Sequence, residues 1–202
     1  MSDLFLLGLT GSIGMGKTTT AEIFRDALIA VWDADAAVHE LYTSDTPTIE
    51  KVFDVAPACV SGDGVDRKKL GNILQANKAL FPKIEAIVHP AIKDHRLAFI
   101  EACRLTNQKL AVLDIPLLYE TSANDWLDAV LVVTIDPNIQ RQRVMARSGM
   151  TEDIFQMILS RQIPDTDKRQ YAKYIIETKS FEHVSNEVHK IIKEIKGSLP
   201  NA

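Results

Sequence analysis

The stretch "GLTGSIGMGKTTTAEIF", residues 8–24, follows directly on the apolar run "LFLL" at 4–7. It places four glycines and a lysine where a buried strand gives way to a helix. Gly11, Gly16, Lys17 and Thr18 satisfy the spacing G-x-x-x-x-G-K-[ST], in the strand–loop–helix context that its mechanism requires. Glycines let the backbone wrap closely, so that N–H groups point at phosphate oxygens, and the helix that follows adds its N-terminal positive end. Gly14, Met15 and Thr19 complete the loop. Lys17 is placed to bridge outer phosphates, and Thr18 to ligate magnesium. A dinucleotide fingerprint fails in both frames: from Gly11 it meets Ile13 where glycine is needed, and from Gly14 and Gly16 it meets Thr19. The loop therefore reads as a nucleoside triphosphate site.

Outward from the loop, short continuous apolar runs recur: "IAVWD" (29–33), "KLAVLDI" (109–115), "AVLVVTI" (129–135) and "KYIIET" (173–178). Continuous apolar character without alternation marks strands covered on both faces, which predicts a doubly wound parallel α/β sheet. The gap between the second and third strands is too long for one crossover helix. Leu70, Ile73, Leu74, Ile84, Ile87 and Val88 recur there at helical spacing, so residues 36–108 read as a mostly helical insertion at the sheet's carboxyl edge. A second excursion, 137–169, begins with Pro137, breaks at Gly149 and restarts at Thr151. Val184, Val188, Ile191 and Ile195 form an apolar stripe that predicts a last helix ending at Gly197. The nucleotide-binding core is then 1–35, 109–136 and 170–202.

Composition limits what these motifs can mean. The 202 residues, 46% hydrophobic and 25% charged, suit a folded soluble domain. A net charge of -4 argues against bulk attraction to nucleic acid or an anionic membrane, so an anionic ligand must be held by local groups. Cys59 and Cys103 have no metal-ligand spacing and read as ordinary thiols. No basic leader and no membrane-length apolar run is present, which places the chain in the cytoplasm. We expect a small-molecule substrate, no nucleic acid or membrane partner, and a monomer or weak homo-oligomer.

Many proteins share the loop, so the other residues discriminate. The only Asn-Lys pair, at 77–78, lacks the aspartate of a guanine-reading segment, which weakens a nucleotide switch. Asp33 and Asp35, in "VWDADAAVHELY", end the second strand, where a carboxylate can accept the proton of an attacking hydroxyl; Asp there also caps helices. Asp114, at the tip of the third strand, is placed to act on magnesium directly or through water. Arg141, Arg143 and Arg147 occupy a stretch without carboxylates, and the spacing of Arg143 and Arg147 predicts one shared helix face. Such arginines clamp transferring phosphates or form a solvated face. In the insertion, Arg67, Lys68 and His89 can meet an anionic acceptor, although His89-Pro90 reads equally as a helix boundary.

The set "LTGSIGMGKTT", "DADAAVHELY", "VDRKKL", "IEAIVHPAI", "LDIPLLYE", "DAVLVV", "QRQRVMAR" and "SRQ" resembles the dephospho-CoA kinase family, in order and spacing across nearly the whole chain. The resemblance implies a nucleotide-kinase-like three-layer fold with a five-stranded parallel core, a helical CoA-binding domain (36–108) and a lid (137–169). It also implies transfer of the ATP γ-phosphoryl group to the ribose 3′-hydroxyl of dephospho-coenzyme A. Under it, Gly14 to Thr19 look like the ATP loop and Asp35 like the general base, with Asp33 as fallback. Arg143 and Arg147 match lid arginines, while Arg67 and His89 fall in the acceptor-binding domain. Two positions depart from the family pattern. Met15 stands where serine is frequent, and Lys173 stands where the family has aspartate, on what is expected to be the adenine side. The rivals are another small-molecule kinase acting on a nucleoside or sugar acid, and a catalytically idle nucleotide-binding module.

Overall fold

Leu7 and Leu9 have no exposed surface because their strand, β1 (Phe5–Thr10), is the middle of the sheet in a computed structural model that describes residues 4–199. The strand order is β2-β5-β1-β6-β7, with β2 at Ala30–Asp33, β5 at Leu110–Asp114, β6 at Ala129–Thr134 and β7 at Tyr174–Glu177. The sheet is parallel, and its register sets Leu9 beside Asp114 on one side and Leu131 on the other. Every residue of β5 and β6 is buried, which is why their sequences show no alternation. The order reverses about β1, so the loop that leaves β1 opens at the switch point, where parallel sheets bind ligands.

Helices α1 (Lys17–Asp26) and α9 (Phe181–Ser198) share one core with the sheet. Ile23 and Phe24 of α1 meet Val184, Val188, Ile191 and Ile195 of α9 in the cluster that holds Leu7, Leu131 and Val133. Each such side chain contributes about 1.5–3 kcal/mol through burial. The predicted stripe is thus the buried face of α9. The helix passes Gly197 and ends at Ser198, since a glycine in a last turn stops a helix only when the chain turns there.

The 137–169 excursion folds as α6 (Pro137–Met145), α7 (Glu152–Leu159) and the start of α8 (Asp165–Tyr171). Asp136 caps α6 by accepting from the Asn138 and Ile139 N–H groups, with Pro137 at the first position. Thr151 caps α7 through Ile154 N–H. Arg147 lies beyond Ala146, the residue that ends α6, so it does not share a helix face with Arg143 as the spacing predicts.

Residues Asp33–Ala102 form a compact unit separate from the one built by the sheet. It contains α2 (Ala34–Thr43), α3 (Thr46–Val55), α4 (Arg67–Ala76) and most of α5 (Phe81–Leu105), around Tyr42, Val52, Cys59, Leu70, Ile84 and Val88. A two-residue antiparallel hairpin, β3 (Val60–Ser61) with β4 (Gly64–Val65), interrupts the helices and is too short to leave a periodicity in the sequence. The expected helix boundary at His89-Pro90 does not exist, because Pro90 lies inside α5. Ile84 and Val88 before it and Ile100 after it are all buried, and that burial outweighs the backbone bond that proline cannot make.

Candidate active site

Between β1 and α1 the chain turns through two left-handed residues, Gly14 at φ 79° and Gly16 at φ 88°. Side-chain-bearing residues seldom adopt either angle, and a Cβ at Gly14 would also strike Val144 of α6 at 2.5 Å. Gly16 is the N-cap of α1 and no side chain caps it, so the first-turn N–H groups stay available to an anion. Thr18 and Thr19 are exposed at that helix start. Lys17 Nζ lies 2.5 Å from Oδ1 of Asp114, whose carboxylate is almost wholly buried at the end of β5. The register that sets Leu9 beside Asp114 therefore delivers the carboxylate to the loop lysine.

Three side chains from the far part of the chain grip the same loop. Gln140 Nε2 donates to the Ile13 carbonyl at 2.8 Å, and Ile13 N–H donates to Gln162 Oε1 at 3.1 Å. Thr178 Oγ1 donates to the Met15 carbonyl at 3.0 Å. The Met15 side chain points into the core, with its sulfur accepting from Ile135 N–H at 3.1 Å. Met15 therefore offers the ligand only its backbone. Gln140 shows only as the first letter of "QRQRVMAR" and Gln162 as the last of "SRQ", while Thr178 carries no signal beyond closing the run "KYIIET".

The arginines divide rather than cluster. Arg143 donates to Thr178 Oγ1 at 2.9 Å and to the Thr178 carbonyl at 2.8 Å, which puts its charge one residue pair away from the loop backbone. Arg141 pairs with Glu152 of α7 at 2.8 Å. Hydrogen bonds from Gln156 and Arg141 hold the Glu152 carboxyl below the usual glutamate range. Arg147 is exposed, with no side-chain partner among the described residues. Lys173 sits at the entry of β7, bonded through its N–H to the Val130 carbonyl, and its ammonium lies 5.8 Å from the Phe5 ring centroid. It reaches toward the start of β1, whereas the phosphate loop leaves the end of that strand, so it is not the adenine-side substitution expected.

In the helical unit, Asp33 accepts from Ala36 N–H at 3.0 Å and is the N-cap of α2. Asp35 is exposed in the first turn of the same helix and caps nothing. Arg67 and His89 are exposed on α4 and α5. In "VDRKKL" the cap is Asp66, which accepts from both Lys68 and Lys69 N–H at 2.9 Å. Those N–H groups, Lys69 first, hold its carboxyl below the usual range.

Comparison with known proteins agrees with this geometry. The family model described as dephospho-CoA kinase matches residues 5–182. The chain is 43% identical over 194 residues to the dephospho-CoA kinase of Agrobacterium fabrum, covering 95% of this chain and 98% of that one. It is 45% identical over 192 residues to that of Cereibacter sphaeroides, with 95% and 96% covered. The solved dephospho-CoA kinase from Campylobacter jejuni superposes with a TM-score of 0.73 at 27% identity, over 97% of this chain and 100% of that one. A shikimate kinase from Acinetobacter baumannii, 19% identical with a TM-score of 0.52 over 98% and 97%, shares the fold alone. A phosphate loop preceding an uncapped helix, a lysine held on a strand-end carboxylate and relatives matched over nearly their full length lead to one conclusion: the chain belongs to the dephospho-CoA kinase family, which phosphorylates dephospho-CoA with ATP in the final step of coenzyme A synthesis.

Proposed function

We propose that the acceptor is the ribose 3′-hydroxyl of dephospho-coenzyme A and that Asp35 is the general base. The hydroxyl oxygen attacks the γ-phosphorus of ATP, its proton passes to Asp35, and the bond to the β–γ bridging oxygen breaks to release ADP. The division of labour between the two aspartates carries this assignment. Asp33 is committed to holding α2, whereas the Asp35 carboxylate, two residues on, has no hydrogen bond among the described residues and can take a proton.

Lys17 and the charge of Arg143 neutralise the moving phosphoryl group from the loop side, and exposed Arg147 adds to that charge. Gly11 to Thr19 supply the backbone donors and hydroxyls for ATP. Arg67 and His89 recognise the acceptor's anionic groups. Among the described residues no group of three His, Cys, Asp or Glu forms a metal cage. The oxygen-only pair of Thr18 and Asp114 nevertheless fits magnesium, which needs few protein ligands when substrate phosphates supply the rest. Those two residues would hold the ion, and its chemistry would be neutralisation of phosphoryl oxygens. Among the described residues no helix is long and apolar enough to cross a membrane, in keeping with a cytoplasmic enzyme.

ADP release with dephospho-CoA, beside a panel of nucleosides and sugar acids, tests the acceptor. Asp35→Asn should lower kcat by about 10²–10⁴-fold while ATP affinity, read by calorimetry, stays within about twofold. Full turnover in that variant, with loss in a folded Asp33→Asn variant, would move the base to Asp33.

A further inference from the structure

The Ile13 peptide is held at both ends by glutamines, Gln140 on its carbonyl and Gln162 on its N–H. Because Ile13 N–H is a donor, the amide oxygen of Gln162 must face it, and the amide nitrogen is turned away. That –NH₂ has no partner among the described residues, and the side chain is only half-buried. The backbone that carries it is anchored. Ile163 N–H donates to Glu120 Oε1 at 2.7 Å, and the same oxygen lies 3.0 Å from Lys168 Nζ. Lys168 has no exposed surface, so a fully buried cation is spent at the base of α8 on one carboxylate. Desolvation makes such a pair a poor source of stability compared with apolar side chains. Its geometric consequence is to fix residues 162–163 against the loop.

We propose that Gln162 is a further substrate-contacting residue, whose amide –NH₂ donates to the terminal phosphoryl oxygens of the bound nucleoside triphosphate, with Glu120 and Lys168 as its positioning pair. The proposal rests on the phosphate-loop reading given above. In such loops the helix end takes the inner phosphates and the lysine reaches the outer ones. Ile13 lies in that loop, four residues before Lys17, and the donor fixed on its N–H is assigned to the outermost group, the one that Lys17 also reaches. A neutral, preorganised N–H donor there stabilises the charge of the transferring phosphoryl group without competing with Lys17.

The test compares ATP with ADP binding by calorimetry, alongside turnover and thermal unfolding. Gln162→Met removes acceptor and donor without adding charge. If the donor meets the terminal phosphoryl group, preference for ATP over ADP should fall about tenfold. A variant that merely loosens the loop weakens both nucleotides equally, and an unchanged ratio overturns the proposal. Gln162→Glu keeps the acceptor for Ile13 N–H but cannot donate. It should melt within a few degrees of the wild type, lose about 10²-fold in kcat and leave KM for dephospho-CoA within about twofold; kcat within threefold of wild type also overturns the proposal. For the positioning pair, Lys168→Met should reproduce the altered ATP-to-ADP ratio and Lys168→Arg should restore it. A wild type that releases no ADP with dephospho-CoA removes that acceptor, while the nucleotide ratio still decides the role of Gln162.

Discussion

Lys17, which the proposed reaction uses at the loop, also serves the fold. Its ammonium compensates Asp114, which is buried at the end of β5. Replacing it by Met leaves a buried carboxylate without that cation, a loss of roughly 3–5 kcal/mol for a buried pair broken on one side. Lys17→Met should therefore unfold at lower urea and release no ADP. Adding Asp114→Asn removes the buried charge that Lys17 faced, so the double variant should regain much of the stability and none of the turnover; recovered turnover would mean that Lys17 acts only on the fold. At this scale the sequence was informative. The spacing of Gly11, Gly16, Lys17 and Thr18 named the chemistry, because each residue type answers to a phosphate. Position alone did not separate Asp33 from Asp35, since either can cap a helix or take a proton, and only the resemblance preferred Asp35; the structure adds that Asp33 is the cap.

Elements reveal what periodicity can and cannot carry. The α9 stripe is legible because four apolar side chains at helical spacing must find one core, and they do. The β3–β4 hairpin and the passage of α5 through Pro90 are not, because two-residue strands have no period and a proline's local preference yields to burial on both sides. The join of β7 to α9 yields a pH-dependent prediction. Tyr174 OH donates to Glu194 Oε1 at 2.8 Å, and burial, reinforced by that carboxylate, pushes the phenol up to about 12 from its usual 10.0. A group raised in the folded state stabilises it fully below the unfolded value and ceases to do so as pH rises through the folded one. Wild-type stability should thus fall between about pH 10 and 12, and Tyr174→Phe should flatten that part of the curve in denaturant titrations followed by circular dichroism. An equally steep fall in the variant would assign the alkaline loss to other groups.

At the scale of the molecule, two units each have a core of their own, and one buried free thiol lies in each: Cys59 in the helical unit and Cys103 in the sheet unit. Burial raises both thiols, so they should react slowly with a disulfide reagent near neutral pH. In single-cysteine variants, saturating ATP should slow labelling of Cys103 strongly, because a ligand of the sheet unit stabilises it by about 2.7 kcal/mol at a hundredfold excess over Kd. Cys59 labelling should change within about threefold; equal protection of both would show that the units open together. Fold class and the phosphate loop were legible in the chain, since continuous apolar runs and glycine spacing are local patterns that survive without coordinates, and family membership was legible only through the motif blocks that resemble the family. Which donors hold the loop was decided only by the tertiary structure. Gln140 and Gln162 stand 127 and 149 residues from Ile13, and no local pattern says which distant amide will meet which peptide when the sheet closes.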